Sequence, residues 1–173
     1  MVYGGYDDWR LPTVKPLGAS FGYNFSNNGS TDRGYGITSP NSEMSYMCHV
    51  NLGNKGYCTP DNSIPSDCNE QSGWGLNNTS FTDATTNTSK SIQNLQNSVY
   101  CSGAEDPPFP SYAWVFSANV GFQGAFDKGY GFYAWAVRSG DVADGGPSIP
   151  EPGSLTLVGL GLVGLGWARR RRG

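Results

Sequence analysis

With 173 residues, the chain has room for one domain of ordinary size plus a tail. Only 14% of the residues are charged and 13% are aromatic, with Gly at 25 positions, a mix that argues against a helical bundle and suits short strands joined by long polar loops. The net charge of −3 includes the run Arg169 to Arg172; without it seven basic residues face fourteen acidic ones, a balance with no electrostatic footprint for nucleic acid.

In chain order, the first strong feature is Asp8, Trp9, Arg10, Leu11, Pro12, Thr13. Lys15, Pro16, Leu17 and Gly18 follow it and do not favour a helix. Between Pro40 and Leu52 the residues Met44, Met47, Cys48 and Leu52 recur at helical spacing, with Ser39 or Ser42 as cap and Gly53 as stop. His49, the single histidine, adjoins Cys48; neighbours on a helix point about 100° apart, so a partly buried helix position is expected rather than a thiolate–imidazole couple.

The cysteines are Cys48, Cys58, Cys68 and Cys101, and no CxxC pair offers a zinc knuckle. Cys58 and Cys68 bracket a turn-rich loop with Pro60, Asp61, Asn62, Pro65 and Asp67, so a disulfide is expected there. Cys48 with Cys101 follows by elimination, the alternative being two buried free thiols. From Asn54 to Asn97 the chain is polar and turn-rich and reads as loop, the usual place for binding residues. Trp114, Phe116, Ala118, Val120 and Phe122 alternate as in a half-buried strand; a turn at Asp127, Lys128 and Gly129 then leads to a partner strand from Phe132 to Arg138.

Trp9, Trp114 and Trp135 are assigned to the core. Tyr57, Trp74, Tyr100, Glu105, Asp106 and Tyr112 are the candidate ligand-binding residues, because a ring stacks on the apolar face of a sugar while carboxylates hold its hydroxyls. Asp7, Asp8, Asp141 and Asp144 suit calcium if the ends of the domain meet, but solvated acidic ends are the expectation and no metal is assigned. No nucleophile, base and orienter set is recognisable, so a non-catalytic protein is expected.

The tail runs Pro150, Glu151, Pro152, an apolar stretch from Leu155 to Ala168, then Arg169, Arg170, Arg171 and Arg172. The prolines keep the triplet extended; the apolar stretch gives roughly 21 Å of helix, short for a hydrocarbon core; the arginines hold its end in the cytoplasm. Together these elements resemble the PEP-CTERM sorting signal that Gram-negative bacteria present to an exosortase. The resemblance implies an exported protein of the cell surface, outer membrane or extracellular matrix, with exosortase as a partner and a transmembrane helix that is removed on processing. Met1, Val2, Tyr3 and Gly4 begin no basic, apolar leader, so the N-terminus is expected to be truncated.

Trp-Arg-Leu-Pro-Thr at 9–13, Ser42 to Met44 leading to Asn51 to Asn54, and the block from Val99 to Val142 with Tyr133 to Arg138 closing it resemble the Lcl C-terminal domain family, named for the Legionella collagen-like adhesin. The resemblance spans roughly residues 4–142. It implies an extracellular α+β domain with a C-type-lectin-like fold, in which short antiparallel strands, one or two helices and long polar loops bring the two chain ends together. It also implies carbohydrate binding, since the founding adhesin recognises sulfated polysaccharide. Cys101 stands where the family commonly has Trp. The expected organisation is a body over 1–144, a linker over 145–149 and the sorting signal over 150–173. Two other functions fit the same features: a structural matrix or adhesion protein without soluble ligand, self-associating as a homo-oligomer, and an enzyme similar to the formylglycine-generating fold, where the Arg-Leu-Pro-Thr element also occurs. Cys58 to Asn62 is similar to the sulfatase cysteine motif, but Asn62 stands where that motif requires arginine.

Overall fold

A computed structural model describes residues 7–60, 68–84 and 86–138. Among them are eight strands: β1 (Phe25–Ser26), β2 (Arg33–Tyr35), β3 (Ser80–Asp83), β4 (Thr88–Ser91), β5 (Val99–Asp106), β6 (Phe109–Ser117), β7 (Phe122–Asp127) and β8 (Tyr133–Ala134). One short helix, α1 (Glu43–Tyr46), continues as a π-helical segment, Met47–Asn51. Six strands form one sheet in the order β1-β2-β7-β6-β5-β8, and β3 with β4 makes a separate hairpin. The fold is mostly sheet with a helix on one face, which suits an α+β class.

The period-2 pattern of the sheet decides where each side chain goes. Tyr100 pairs with Phe116 and Trp114 with Ala125, while Cys101 pairs with Val115 and Ala113 with Phe126. Tyr100 and Phe116 therefore share the helix face, where they join Met44, Met47, Cys48, Leu52, Ala118 and Trp135 in a buried cluster. Phe116 is fully buried, and a large side chain sealed at a sheet–helix contact is worth about 2–3 kcal/mol of apolar transfer.

Several expectations change here. The strand expected from Trp114 to Phe122 is two strands: β6 ends at Ser117, the chain turns through Ala118–Gly121, and β7 returns antiparallel to it. Gly121 at φ +70° makes that turn, and Ala118 and Val120 happen to continue the alternation across it. The expected partner strand from Phe132 to Arg138 is reduced to β8, which runs parallel to β5 and does not pair with β6. Ser42 stands at the helix N-cap position but makes no side-chain cap; its hydroxyl accepts a hydrogen bond from Gln123 Nε2 at 3.1 Å, tying α1 to β7. Gly53, at φ +68°, closes the helix as expected. Trp114 and Trp135 are buried, whereas Trp9 is only half-buried.

Cys58 and Cys68 form a disulfide. Cys48 and Cys101 carry free thiols, which corrects the pairing by elimination. Cys48 lies in the helix-face cluster beside Tyr100, and the next residue on the strand, Cys101, projects from the opposite face of the sheet. Burial pushes the Cys48 thiol up to about 12 and raises that of Cys101 as well, so neither is a thiolate at neutral pH. Replacing Cys58 and Cys68 together by serine is expected to lower the unfolding free energy by about 2–3 kcal/mol, the loop-closure contribution of a bridge spanning ten residues. Urea titration of the oxidised chain with and without reductant checks it: the variant should lose the sensitivity to reductant.

The segment 9–13 is explained by its contacts. Arg10 grips Glu43 at the start of α1 with two charge-assisted bonds of 2.6 Å, Nη1 to Oε2 and Nη2 to Oε1. Thr13 N–H donates to the same carboxylate at 2.7 Å, and Glu43 N–H returns a bond to Thr13 O at 3.2 Å. Pro12 is fully buried, and its carbonyl accepts Gly103 N–H at 2.8 Å where β5 bulges. Arg10 and Val137 exchange both backbone bonds at 2.9 Å, so the two ends of the described body lie side by side. Arg138 Nε donates to Asp8 Oδ1 at 3.3 Å across that junction.

A candidate binding cavity beside Trp114

Asp32 organises one wall of a cavity on the helix face of the sheet. Its buried carboxylate accepts Leu17 N–H at 2.8 Å through Oδ1 and Gly22 N–H at 2.7 Å through Oδ2, which folds the loop 17–22 back on itself. The fold-back lays Phe21 on the Trp114 ring at 4.8 Å between centroids and Tyr23 beside it at 6.0 Å. Tyr23 Oη then donates to Asp106 Oδ1 at 2.6 Å, joining the loop to the end of β5.

The cavity encloses about 350 Å³ between Tyr23, Arg33, Asp106, Phe109, Tyr112, Trp114 and Ala125. Sheet alternation puts Tyr112, Trp114 and Ala125 on this face. The bulge in β5 takes four steps, Cys101 to Glu105, against two on β6, Val115 to Ala113. An even insertion preserves the alternation, so Asp106 faces the cavity and Glu105 the other side. Trp114 is the floor, wholly buried, and its indole N–H has no acceptor among the described residues. Phe109 and Tyr112, with ring centroids 6.0 Å apart, stand exposed at the mouth.

Burial and the neighbouring Asp106 carboxylate push the Tyr23 phenol up to about 12 from its ordinary 10.0. A raised phenol favours the neutral form in the fold, so its contribution to stability is complete below pH 10 and is lost as pH climbs through about 12. Burial raises Tyr35 and Tyr100 in the same direction. A spectroscopic tyrosinate titration is expected to show a late-titrating fraction, and Tyr23→Phe should diminish it; an unchanged late fraction would disprove the link to Asp106.

The six residues singled out from the sequence do not form one site. Asp106 and Tyr112 meet in the cavity. Tyr57 and Trp74 pack edge-to-face at 5.1 Å elsewhere, with Trp74 Nε1–H donating to Glu70 Oε1 at 2.7 Å. Glu105 lies on the opposite face, ion-paired with Lys128, at a second cavity of about 310 Å³ that Cys101 and Phe126 also line. Tyr100 is a correction: only 3% exposed, its hydroxyl accepts Gln96 N–H at 2.5 Å and donates to Gln96 O at 3.0 Å, which makes it a core residue. The sequence reading missed Arg33, Tyr23 and Phe109; an arginine beside a glycine, a ring on a loop and a ring at the first residue of β6 carry no periodic signal.

His49 is held between carbonyls, Nδ1 at 2.8 Å from Asn54 O and Nε2 at 3.3 Å from Gly121 O, with its ring edge-on to Phe116 at 5.9 Å. That is the structural role expected of it. Among the described residues no group of three or more His, Cys, Asp or Glu side chains is placed to hold a metal ion. Asp8 is engaged by Arg138, and Asp141 and Asp144 lie outside the described residues, as do the sorting-signal residues Pro150, Glu151, Pro152 and Arg169 to Arg172. Among the described residues no helix is long and apolar enough to cross a membrane; the apolar run Leu155 to Ala168 lies outside them.

Residues 148–172 match the family model of the PEP-CTERM protein-sorting motif. The motif implies recognition by an exosortase and an exported, membrane-processed bacterial surface protein. No curated protein and no solved structure matches the chain.

Proposed function

We propose that this chain is a non-catalytic surface or extracellular-matrix protein, sorted through its tail, whose body binds carbohydrate. The sorting motif supports the destination. The cavity beside Trp114 carries the binding half: rings exposed at its mouth, with a carboxylate and a guanidinium in its walls, are the groups that take the apolar and hydroxyl faces of a sugar. The resemblance of residues 9–13 and 133–138 to the Lcl family is a further motive for a carbohydrate ligand. The cell's own exopolysaccharide is the first ligand to test, with exosortase and, before processing, the membrane as partners.

The full chain, kept in a polyoxyethylene detergent that carries no sugar, should be retained by immobilised exopolysaccharide and by at least one glycan class on an array. Blank results in both would overturn carbohydrate binding. Assembly of the purified chain into higher oligomers without saccharide would favour a structural matrix role instead. Mass measurement of the secreted protein checks sorting: cleavage near Pro150 to Pro152 is expected, and a cytoplasmic chain retaining Arg172 would disprove it.

A further inference from the structure

We infer that the cavity beside Trp114 takes a short neutral saccharide, with Arg33 and Asp106 sharing its hydroxyls and Tyr112 with Phe109 stacking on its ring. This rests on the carbohydrate reading above and narrows it to one site and one ligand class.

The first ground is charge. Arg33 and Asp106 line the same cavity and the buried Asp32 carboxylate stands behind its wall, so the site carries no excess positive charge. Around them is a body, residues 1–144, in which thirteen acidic residues face seven basic ones. A polyanion gains one guanidinium and meets net repulsion from the rest, so a neutral ligand is favoured. The second ground is unmet hydrogen bonding. Among the described residues Arg33 makes no ion pair, and Asp106 Oδ2 accepts no hydrogen bond, its partner Oδ1 being taken by Tyr23. A guanidinium donor and a carboxylate acceptor lining one small volume suit adjacent hydroxyls, each of which both gives and receives.

The third ground is shape. At about 350 Å³ the cavity is at the small end of ligand pockets, suited to a mono- or disaccharide rather than to a long chain laid flat. Phe109, 60% exposed, and Tyr112 offer apolar surface only at the entrance, where the carbon–hydrogen face of a sugar ring would rest.

Titration calorimetry of the full chain, in the same sugar-free detergent, tests this with neutral disaccharides of glucose, N-acetylglucosamine, mannose and galactose, and with a disaccharide of glucuronic acid. At least one neutral disaccharide is expected to bind, with affinity changing by less than about twofold between low and high salt. Arg33→Ala and Tyr112→Ala, both at exposed positions, are each expected to weaken it by about tenfold or more while the circular dichroism spectrum is unchanged. Preference for the glucuronic acid disaccharide with steep salt dependence would overturn the inference. So would neutral binding indifferent to Arg33→Ala and Tyr112→Ala, a result that leaves carbohydrate binding standing and moves it elsewhere on the body. Failure of every disaccharide alongside retention on exopolysaccharide also overturns the short-ligand assignment; failure of both assays sinks the binding half of the proposed function as well.

Discussion

Replacing Gly34 by alanine is expected to lower the unfolding free energy by about 3 kcal/mol or more, one of the two largest single-site effects anticipated in this chain. Gly34 sits at φ +139°, and a Cβ there would lie 1.9 Å from the Ser26 carbonyl oxygen and 2.9 Å from Ser26 C and N. Every one of those atoms is backbone, so no side chain can swing aside; β1 must part from β2. Because Arg33 precedes Gly34 on β2, the same change should displace the guanidinium from the cavity and weaken saccharide binding together with stability. Gly53→Ala is the control. It shares a positive φ, +68°, with nothing within 4 Å, so it should cost only about 1 kcal/mol. Equal urea midpoints for the two variants would refute the steric argument.

The second large effect is expected at Glu43. Glu43→Ala removes the acceptor of both Arg10 bonds and of Thr13 N–H, and should lower stability by about 2–4 kcal/mol. Arg10→Ala should cost less, since the arginine side chain is 37% exposed against 11% for the glutamate and the two Thr13–Glu43 bonds survive it. Burial alone would raise the Glu43 carboxyl, but Arg10 and the Thr13 N–H outweigh it and hold it below its ordinary 4.5. A carboxyl lowered by folding contributes stability that is complete above pH 4.5 and is lost as the pH falls through the lower folded value. Urea midpoints measured from neutral pH downward should therefore fall in the wild type, and Glu43→Gln should flatten that limb; parallel curves would disprove the assignment.

The sequence made some of this legible. The helical spacing of Met44, Met47, Cys48 and Leu52 located α1 and the π-helical segment that follows it, because all four side chains meet the sheet. The turn-rich spacer between Cys58 and Cys68 located the disulfide. The alternation from Trp114 found β6 but ran past its end, since a glycine turn flanked by Ala118 and Val120 looks apolar and periodic while reversing direction. The β3–β4 hairpin was hidden for a different reason: its strands Ser-Phe-Thr-Asp and Thr-Ser-Lys-Ser are largely polar, and only Phe81 reports contact with the core. At the cavity, Asp106 and Tyr112 were legible as polar and aromatic groups flanking a turn. Tyr23 and Arg33 were not, because what places them is the Asp32 carboxylate and the β2–β7 pairing, both long-range.

The side-by-side pairing of Arg10 with Val137 has a mechanical consequence. If the body is held at the membrane through its C-terminal segment while a ligand grips the cavity, tension enters at Arg138 and meets the Arg138–Asp8 contact and the two Arg10–Val137 backbone hydrogen bonds before it reaches Trp135 in the helix-face cluster and the short β8 ladder. That junction yields first under load, letting the tether lengthen while the helix-face cluster and the cavity walls beyond it keep their grip.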